Sequence, residues 1–334
     1  MNRTNKKNAR HSGLVLQTIV VDDLWKWLRF VGENLYQDST YVFRGQANSK
    51  WTIKSSFERK FLDDARKRGV GTFGKPPEMI YEKRLRVKER ELIDGFRRDA
   101  WHFLGRELKS EVEWISLMRH YGVPTRIVDF TESILVALYF AVGETECKDD
   151  FAIWCVNRTL LGDAYEQDYW IEQGAWDFQR GEPNFEQLRS CGRYTIPVEA
   201  MRRNEERAEK VLGRDINDSD MEDESLPILY LYPKFRNARM SAQSGLFLMP
   251  TRLRMPFNDL LCEDGVQDSR SRVTVSKLME NQCVTTVSGI VKFVFSAKIR
   301  EDARTLLRMS NITDRQLFPD LAGVAMSVRN HCCS

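Results

Sequence analysis

From Ile19 to Leu35 the apolar residues Val21, Leu24, Trp27, Leu28, Phe30, Val31 and Leu35 fall on one helical stripe, with Asp22 placed as its N-cap. The β-branched and aromatic run Thr40 to Arg44 predicts a short buried strand that stops at Gly45, so it delivers Arg44 to its own end. Glu78 to Leu108 returns to a 3.6-residue period through Leu85, Leu92, Ile93, Phe96, Ala100, Phe103 and Leu104, leaving many arginines on the solvated positions. Val112 to Tyr121 predicts a shorter helix with Trp114, Leu117 and Met118 inward, stopped by Gly122 and Pro124. Thr125 to Thr131 is strand-like, and Thr131 is placed to cap a helix through Val142 that has almost no polar face and is therefore expected to be buried.

Further strands are predicted at Phe151 to Val156, Leu226 to Tyr232, Gly245 to Leu248 and in two runs between Val284 and Phe295. Helix returns at Ala297 to Ser310, ahead of the Pro-punctuated apolar segment LFPDLAGVAMSV. These elements predict an α+β fold, a mixed or antiparallel central sheet flanked by helices. Residues 1–14 read as a flexible, polar lead-in, and 15–334 as a single domain. Residues 158–225 are charged and poorly periodic, with an acidic run from Asp215 to Glu224, and read as an insertion into that domain.

Composition narrows the function classes. The chain of 334 residues is 42% hydrophobic and 30% charged, which places it among folded globular proteins. Its 51 basic and 48 acidic side chains give a net charge of only +3, so any contact with nucleic acid must rest on a local patch. No run reaches the roughly 18 apolar residues of a membrane-spanning helix, and the first residues lack a signal peptide's apolar core, so a cytoplasmic protein is expected. Seven scattered cysteines without CxxC spacing point to reduced thiols and to no metal site.

The sequence contains no GxGxxG, GxxxxGK[ST], GxSxG or HExxH. Polar groups gather instead at the ends of buried elements. In YVFRGQ, residues Tyr41 to Gln46, Arg44 is placed to grip a phosphate or carboxylate through two parallel hydrogen bonds, or to tie the strand end to a carboxylate such as Asp129. The following Gly45 lets a ligand or another backbone come close. In the run from His120 to Val142, strand alternation puts Thr125, Ile127 and Asp129 on one face and Arg126, Val128 and Phe130 on the other. Asp129 and Thr125 are thus expected to line one pocket beside a helix N-terminus that favours an anion, unless Asp129 and Thr131 only cap the helix and His120 is structural. In NARMSAQSGLFLMP, Gln243 is placed either to hold ribose hydroxyls or to satisfy loop carbonyls.

Together these segments resemble the FRG domain family, whose Phe-Arg-Gly triplet stands here as Phe43-Arg44-Gly45. The likeness also takes in Trp51, Ser55-Ser56, EWISLMRHYGVPTRIVDFTESILVALYFAV, RMSAQSGLF and LFPDLAGVA, and runs from about Ile19 to Val328. The family is distantly similar to the ADP-ribosyltransferase fold, in which a strand-borne Arg or His followed by Gly holds NAD. By that analogy Arg44-Gly45 is the first element, and Asp129-Phe130-Thr131 with Tyr139-Phe140-Ala141 the second. The resemblance and the three clusters make Arg44, His120, Asp129 and Gln243 the catalytic candidates. Phe43, Gly45, Gln46, Tyr121, Thr125, Arg126, Thr131 and Tyr139 are the candidates for contact with NAD, the expected substrate. Tyr121 or Tyr139 would be the shelf for nicotinamide. The sequence departs from the transferase pattern where a glutamate is expected, because Gln243 stands there and cannot take up a proton; Asp129, Glu132 or His120 would have to serve. The implied function is an NAD-dependent ADP-ribosyltransferase-like enzyme, a toxin or phage-defence effector modifying RNA or a protein. The arginine clusters Arg84 to Arg106 and Lys234 to Arg254 are candidates for holding such a target, and an antitoxin or chaperone is the implied partner. The alternatives are a noncatalytic nucleotide- or phosphate-binding module and an NAD glycohydrolase.

Overall fold

The structure is a computed structural model that describes residues 16–35, 41–62, 78–143, 148–161, 176–177, 182–183, 198–213, 226–233, 237–261, 273–280 and 289–332. The strands are β1 (Leu16–Val21), β2 (Tyr41–Gln46), β3 (Val128–Thr131), β4 (Phe151–Asn157), β5 (Trp176–Asp177), β6 (Glu182–Pro183), β7 (Ile228–Leu231), β8 (Gly245–Pro250), β9 (Val273–Thr274) and β10 (Ile290–Phe295). The helices are α1 (Leu24–Asn34), α2 (Glu78–Ala100), α3 (Glu111–His120), α4 (Ile134–Val142), α5 (Val198–Gly213), α6 (Ala238–Ala242), α7 (Phe257–Leu261), α8 (Val275–Glu280), α9 (Arg300–Met309), α10 (Asp314–Leu317) and α11 (Leu321–Cys332). An eight-stranded sheet in the order β7-β8-β3-β2-β4-β10-β1-β9 forms the centre, and β5 pairs with β6 apart from it. Strand β1 runs parallel to β10 and β9, and the other pairs in the large sheet are antiparallel. The sheet is mixed and flanked by helices, an α+β architecture.

Several predicted boundaries move. Ile19 and Val21 belong to strand β1 rather than to the first helix, because LQTIVV is rich in β-branched residues and is flanked on both sides by parallel partners. Helix α1 therefore begins at Leu24, and Asp23 rather than Asp22 caps it, accepting hydrogen bonds from the amides of Trp25 and Lys26. The helix after Glu78 ends at Ala100, and Phe103, expected inward, is 88% exposed. Strand β3 starts only at Val128, since residues 125–127 are held by contacts to the 55–58 segment and to α2 rather than by a ladder. Because β3 runs through Thr131, the cap of α4 falls to Ser133, whose hydroxyl accepts from the Val136 amide. The first 14 residues and the acidic run 215–224 lie outside the described residues. Of the expected insertion, residues 158–161, 176–177, 182–183 and 198–213 are described, and α5 packs beside α3 and β7.

Two hydrophobic layers lie on opposite faces of the sheet. On one, α1, α4 and α9 cover Tyr41, Phe43, Ile153, Cys155, Phe293 and Phe295, with Trp27 meeting Phe295 edge to face at 4.9 Å. On the other, Val42, Val128, Phe130, Trp154, Val156, Leu246 and Leu248 pack under Phe257 and Leu260 of α7. Strand alternation therefore points Val42, Arg44 and Gln46 away from α4, and Tyr41, Phe43 and Gly45 toward it. As expected, α4 is buried along Ile134, Val136, Ala137, Leu138, Ala141 and Val142. No helix among the described residues is long and apolar enough to cross a membrane.

Candidate functional site

The site begins where the sheet splits. Strands β2 and β4 pair at every position from Tyr41↔Asn157 to Gln46↔Ala152, whereas β2 and β3 pair only at Phe43↔Thr131. Beyond that pair the two strands diverge, and the Asp129 carbonyl is outside the β2–β3 backbone ladder. Arg44 fills the gap, its Nη1 donating to Asp129 O at 2.6 Å. One part of the guanidinium is thus fixed to backbone, while Nε is buried with no partner. A buried donor left so carries an uncompensated desolvation cost of roughly 1–3 kcal/mol, which an arriving acceptor removes.

A cavity of about 1010 Å³ opens at this split. Its walls carry the cations Arg44, Lys50, Lys54, Arg59, Arg119 and Arg239, and among the described lining side chains Asp129 is the lone carboxylate. That balance is more positive than the chain's +3 suggests, although Arg119 is paired with Asp129 and Arg239 with Asp320. Arg119, near the end of α3, donates through Nε and Nη2 to Asp129, the first bond at 2.9 Å and both on Oδ2. Burial pushes the Asp129 carboxyl up, but the Arg119 and Arg44 guanidinium groups outweigh it and hold it below the usual aspartate range. Burial lowers the Arg44 pKa; Asp129 opposes the shift, and Arg119 and Arg59 add to it.

Aromatic side chains close the far side. Phe140 of α4 and Phe318 meet edge to face at 6.2 Å, and the Arg239 guanidinium lies 4.7 Å from the Phe318 ring centre. The 314–320 segment is fastened there by three polar contacts. Tyr139 donates to Asp314, Gln243 Nε2 donates to Leu317 O at 3.1 Å, and Arg239 pairs with Asp320 at 3.1 Å.

Of the residues singled out from sequence, the structure brings Phe43, Arg44, Gly45, Gln46, His120, Asp129, Thr131 and Gln243 to this cavity. Several do other work there. Gly45 faces a backbone, since a Cβ on it would lie 1.9 Å from Ala137 O and 2.5 Å from Ala141 N of α4. Gln46 is occupied on both sides, accepting from Trp154 Nε1 at 2.7 Å and donating to Thr52 O at 3.1 Å. Thr131 accepts from the Ser133 amide and donates to Gln243 O at 2.6 Å. His120 is exposed, with Nδ1 3.2 Å from the Asn237 amide nitrogen.

Five other candidates stand away from the cavity. Arg126 is fully buried, held by Glu89 through Nε at 2.7 Å and bonded to the carbonyls of Pro250 and Thr251, so it staples α2 to the end of β8. Thr125 is buried under Ser56, its amide donating to Ser56 Oγ at 3.0 Å. Tyr121 projects into solvent at 69% exposure, and Tyr139, whose phenol is pushed up by burial and the Asp314 carboxylate it bonds, is not among the side chains lining the cavity. Glu132 is taken by Arg158 and Tyr232, each at 2.7 Å. The cavity is lined by Phe140 from the C-terminal half of α4, not by its N-terminus, so the expected anion site at that helix start is not formed.

The arginine cluster at 84–106 is likewise largely absorbed: Arg86 and Arg90 bond backbone carbonyls, and Arg97 and Arg106 pair with Glu111 and Glu113. In the other cluster, Lys234 and Arg236 lie outside the described residues and Arg239 lines the cavity. Arg119 and Phe318 are not singled out by the sequence as site residues, and Phe140 enters only within the stretch Tyr139-Phe140-Ala141. Arg119 sits ten residues before its carboxylate and on another element, and Phe318 reaches α4 from far along the chain, so no local spacing marks either. Among the described residues no group of three or more His, Cys, Asp or Glu side chains is placed to hold a metal ion.

Fold and site together define a mixed α+β protein with a basic cleft at a split between two central strands. Residues 39–150 match the FRG domain model, and the matched stretch includes the triplet Phe43-Arg44-Gly45 at the base of the cleft. No curated protein and no solved structure matches the chain.

Proposed function

We propose that the cleft binds NAD and transfers its ADP-ribose portion to a macromolecule, in the manner of an ADP-ribosyltransferase. The observation that supports this most is the joining of Arg44 and Asp129 at one basic, aromatic-walled cleft. In this reading Arg44 takes a pyrophosphate oxygen through its unpartnered Nε, and the edge-to-face pair Phe140 and Phe318 offers an apolar wall to the nicotinamide. Asp129, kept ionised by Arg119, stabilises the positive charge that grows on the ribose as its C1′–N bond breaks. The electron pair of that bond leaves with nicotinamide. An oxygen or nitrogen of the acceptor attacks C1′, and its proton passes to His120 or to water. Gln243 has its amide nitrogen committed to Leu317 O and serves as a wall rather than a base. A toxin or defence effector restrained by an antitoxin is the setting this chemistry suits.

A second reading is favoured by one specific contact. Asp129, the lone carboxylate among the described lining side chains, is already paired with Arg119, an arrangement equally suited to holding a nucleotide without turning it over. Incubation of the purified protein with NAD labelled in its adenylate portion, alone and with cellular RNA or protein, separates the cases. Label carried onto a macromolecule supports transfer. Free ADP-ribose in place of transfer makes the protein a glycohydrolase, saturable binding without turnover makes it a binding module, and no binding overturns the site.

A further inference from the structure

The reading of the cleft as an NAD site leaves one wall unused. Lys50, Trp51, Lys54 and Arg59 line the cavity from a single segment that leaves β2, and none of them has a part in holding NAD in that reading. The segment is held mostly by contacts of other groups, although Arg59 also donates through Nη1 to Lys54 O at 2.9 Å. Asn48 bonds Asp149 and accepts from the Lys50 amide, the Ser49 amide donates to Asp150 O, Gln46 holds Thr52 O, and Ile53 is buried. Trp51 is thereby fixed in position yet 55% exposed, with no ring contact among the described residues. A large aromatic side chain kept in water on an ordered segment, with cations on either side of it, is the pattern that stacks a base and follows a phosphodiester backbone. At about 1010 Å³ the cavity also stands at the upper end of the range for small-molecule sites, roughly 300–1,000 Å³.

We propose that this wall is a track for single-stranded nucleic acid, with Trp51 stacked on one base and Lys50, Lys54 and Arg59 on its phosphates, so that the acceptor presented to the cleft is a nucleic acid rather than a protein. The proposal rests on the NAD reading only for what the acceptor receives; binding along the track is independent of it. Charge decides between the two kinds of acceptor. The lining carries several cations and one paired carboxylate, and this suits a chain with a negative charge at every residue better than a polypeptide.

The test uses the full chain and a fluorescein-labelled 12-nucleotide oligouridylate, with anisotropy read across a KCl series. Three phosphate contacts give a slope of log K against log salt near about −2. Trp51→Ala is expected to weaken binding by at least roughly five-fold, and the Lys50→Glu/Lys54→Glu pair to flatten the slope by more than about one. Both variants should bind labelled NAD in equilibrium dialysis as the wild type does, with unchanged circular dichroism. The proposal is overturned if the wild type binds NAD but no oligonucleotide, if the rim variants bind the oligonucleotide as tightly as wild type, or if label from NAD goes to protein only. Oligonucleotide binding with the expected slope and Trp51 dependence, but with no NAD binding, supports the track and removes the NAD reading.

Discussion

Gly45 offers the sharpest test of how the triplet works, because the structure gives its hydrogen atoms no room to become a methyl group. A Cβ there would sit 1.9 Å from Ala137 O and 2.5 Å from Ala141 N. Ordinary contact begins near 3.4 Å, so α4 would have to retreat by about 1.5 Å. The atoms in the way are backbone, so no rotamer change relieves the clash. The same helix buries Ala137, Leu138 and Ala141 completely, so its retreat opens gaps around them. Overpacking a core costs roughly 1–3 kcal/mol and more when backbone must move, which puts Gly45→Ala at about 3 kcal/mol or above. With about 2.1 cal/mol/K of unfolding entropy per residue, the 334 residues give about 0.7 kcal/mol/K, so the melting temperature should fall by about 4 °C or more. Gly95→Ala is the control: a Cβ there meets nothing within 4 Å, the site is inside helix α2, and the change should raise stability by up to about 1 kcal/mol. Melting followed by circular dichroism reads both. An unchanged melting temperature for Gly45→Ala, with loss of ligand binding, would refute the helix-packing argument and return the glycine to the ligand.

Arg44→Ala should remain folded, losing about 1 kcal/mol for the bond to Asp129 O, and should lose NAD binding in equilibrium dialysis; retention of full affinity would remove Arg44 from the site. Arg126→Met should cost about 3–5 kcal/mol by leaving Glu89 buried and unpaired, and the Arg126→Met/Glu89→Leu double variant should recover much of it in urea denaturation. The Asp129 carboxyl has a folded pKa below its unfolded value, so its pairing with Arg119 contributes stability above the unfolded pKa of about 3.9 and loses it as pH falls through the folded pKa. Asp129→Asn should therefore flatten the acid limb of a stability-versus-pH curve below about pH 4 and leave its shape near neutrality unchanged. Phe318→Ala should weaken NAD binding with little change in oligonucleotide binding, measured by the same dialysis and anisotropy.

Much of the fold was legible because its strong elements are locally consistent. The strand Tyr41–Gln46, the apolar helix Ile134–Val142 and the β8 segment all carry their pattern within a few residues. The misplaced boundary at Ile19 to Val21 has the opposite cause: its residues suit either period, and only the neighbouring strands β9 and β10, far along the chain, decide for the sheet. At the site, Arg44 and Asp129 could be nominated because each is a charged residue in a short strand-like run, although β2 continues past Arg44 to Gln46 and Asp129 lies within β3. Arg126 looked equally suitable, and nothing local reveals that Glu89 is its partner. The cationic excess of the cleft was hidden for a related reason, since a net charge averages over surfaces that tertiary structure separates.

The lone pairing of Phe43 with Thr131 has a consequence for how this protein can change over time. Three consecutive residues are each answerable to a different neighbour: Phe43 to the core under α4, Arg44 to a carbonyl across the gap, and Gly45 to the backbone of α4 itself. A shift of one position would break all of these commitments at once, so insertions and deletions in this stretch should be intolerable. New specificities would have to arise from the segments around the opening, where side chains can be exchanged without disturbing the seam.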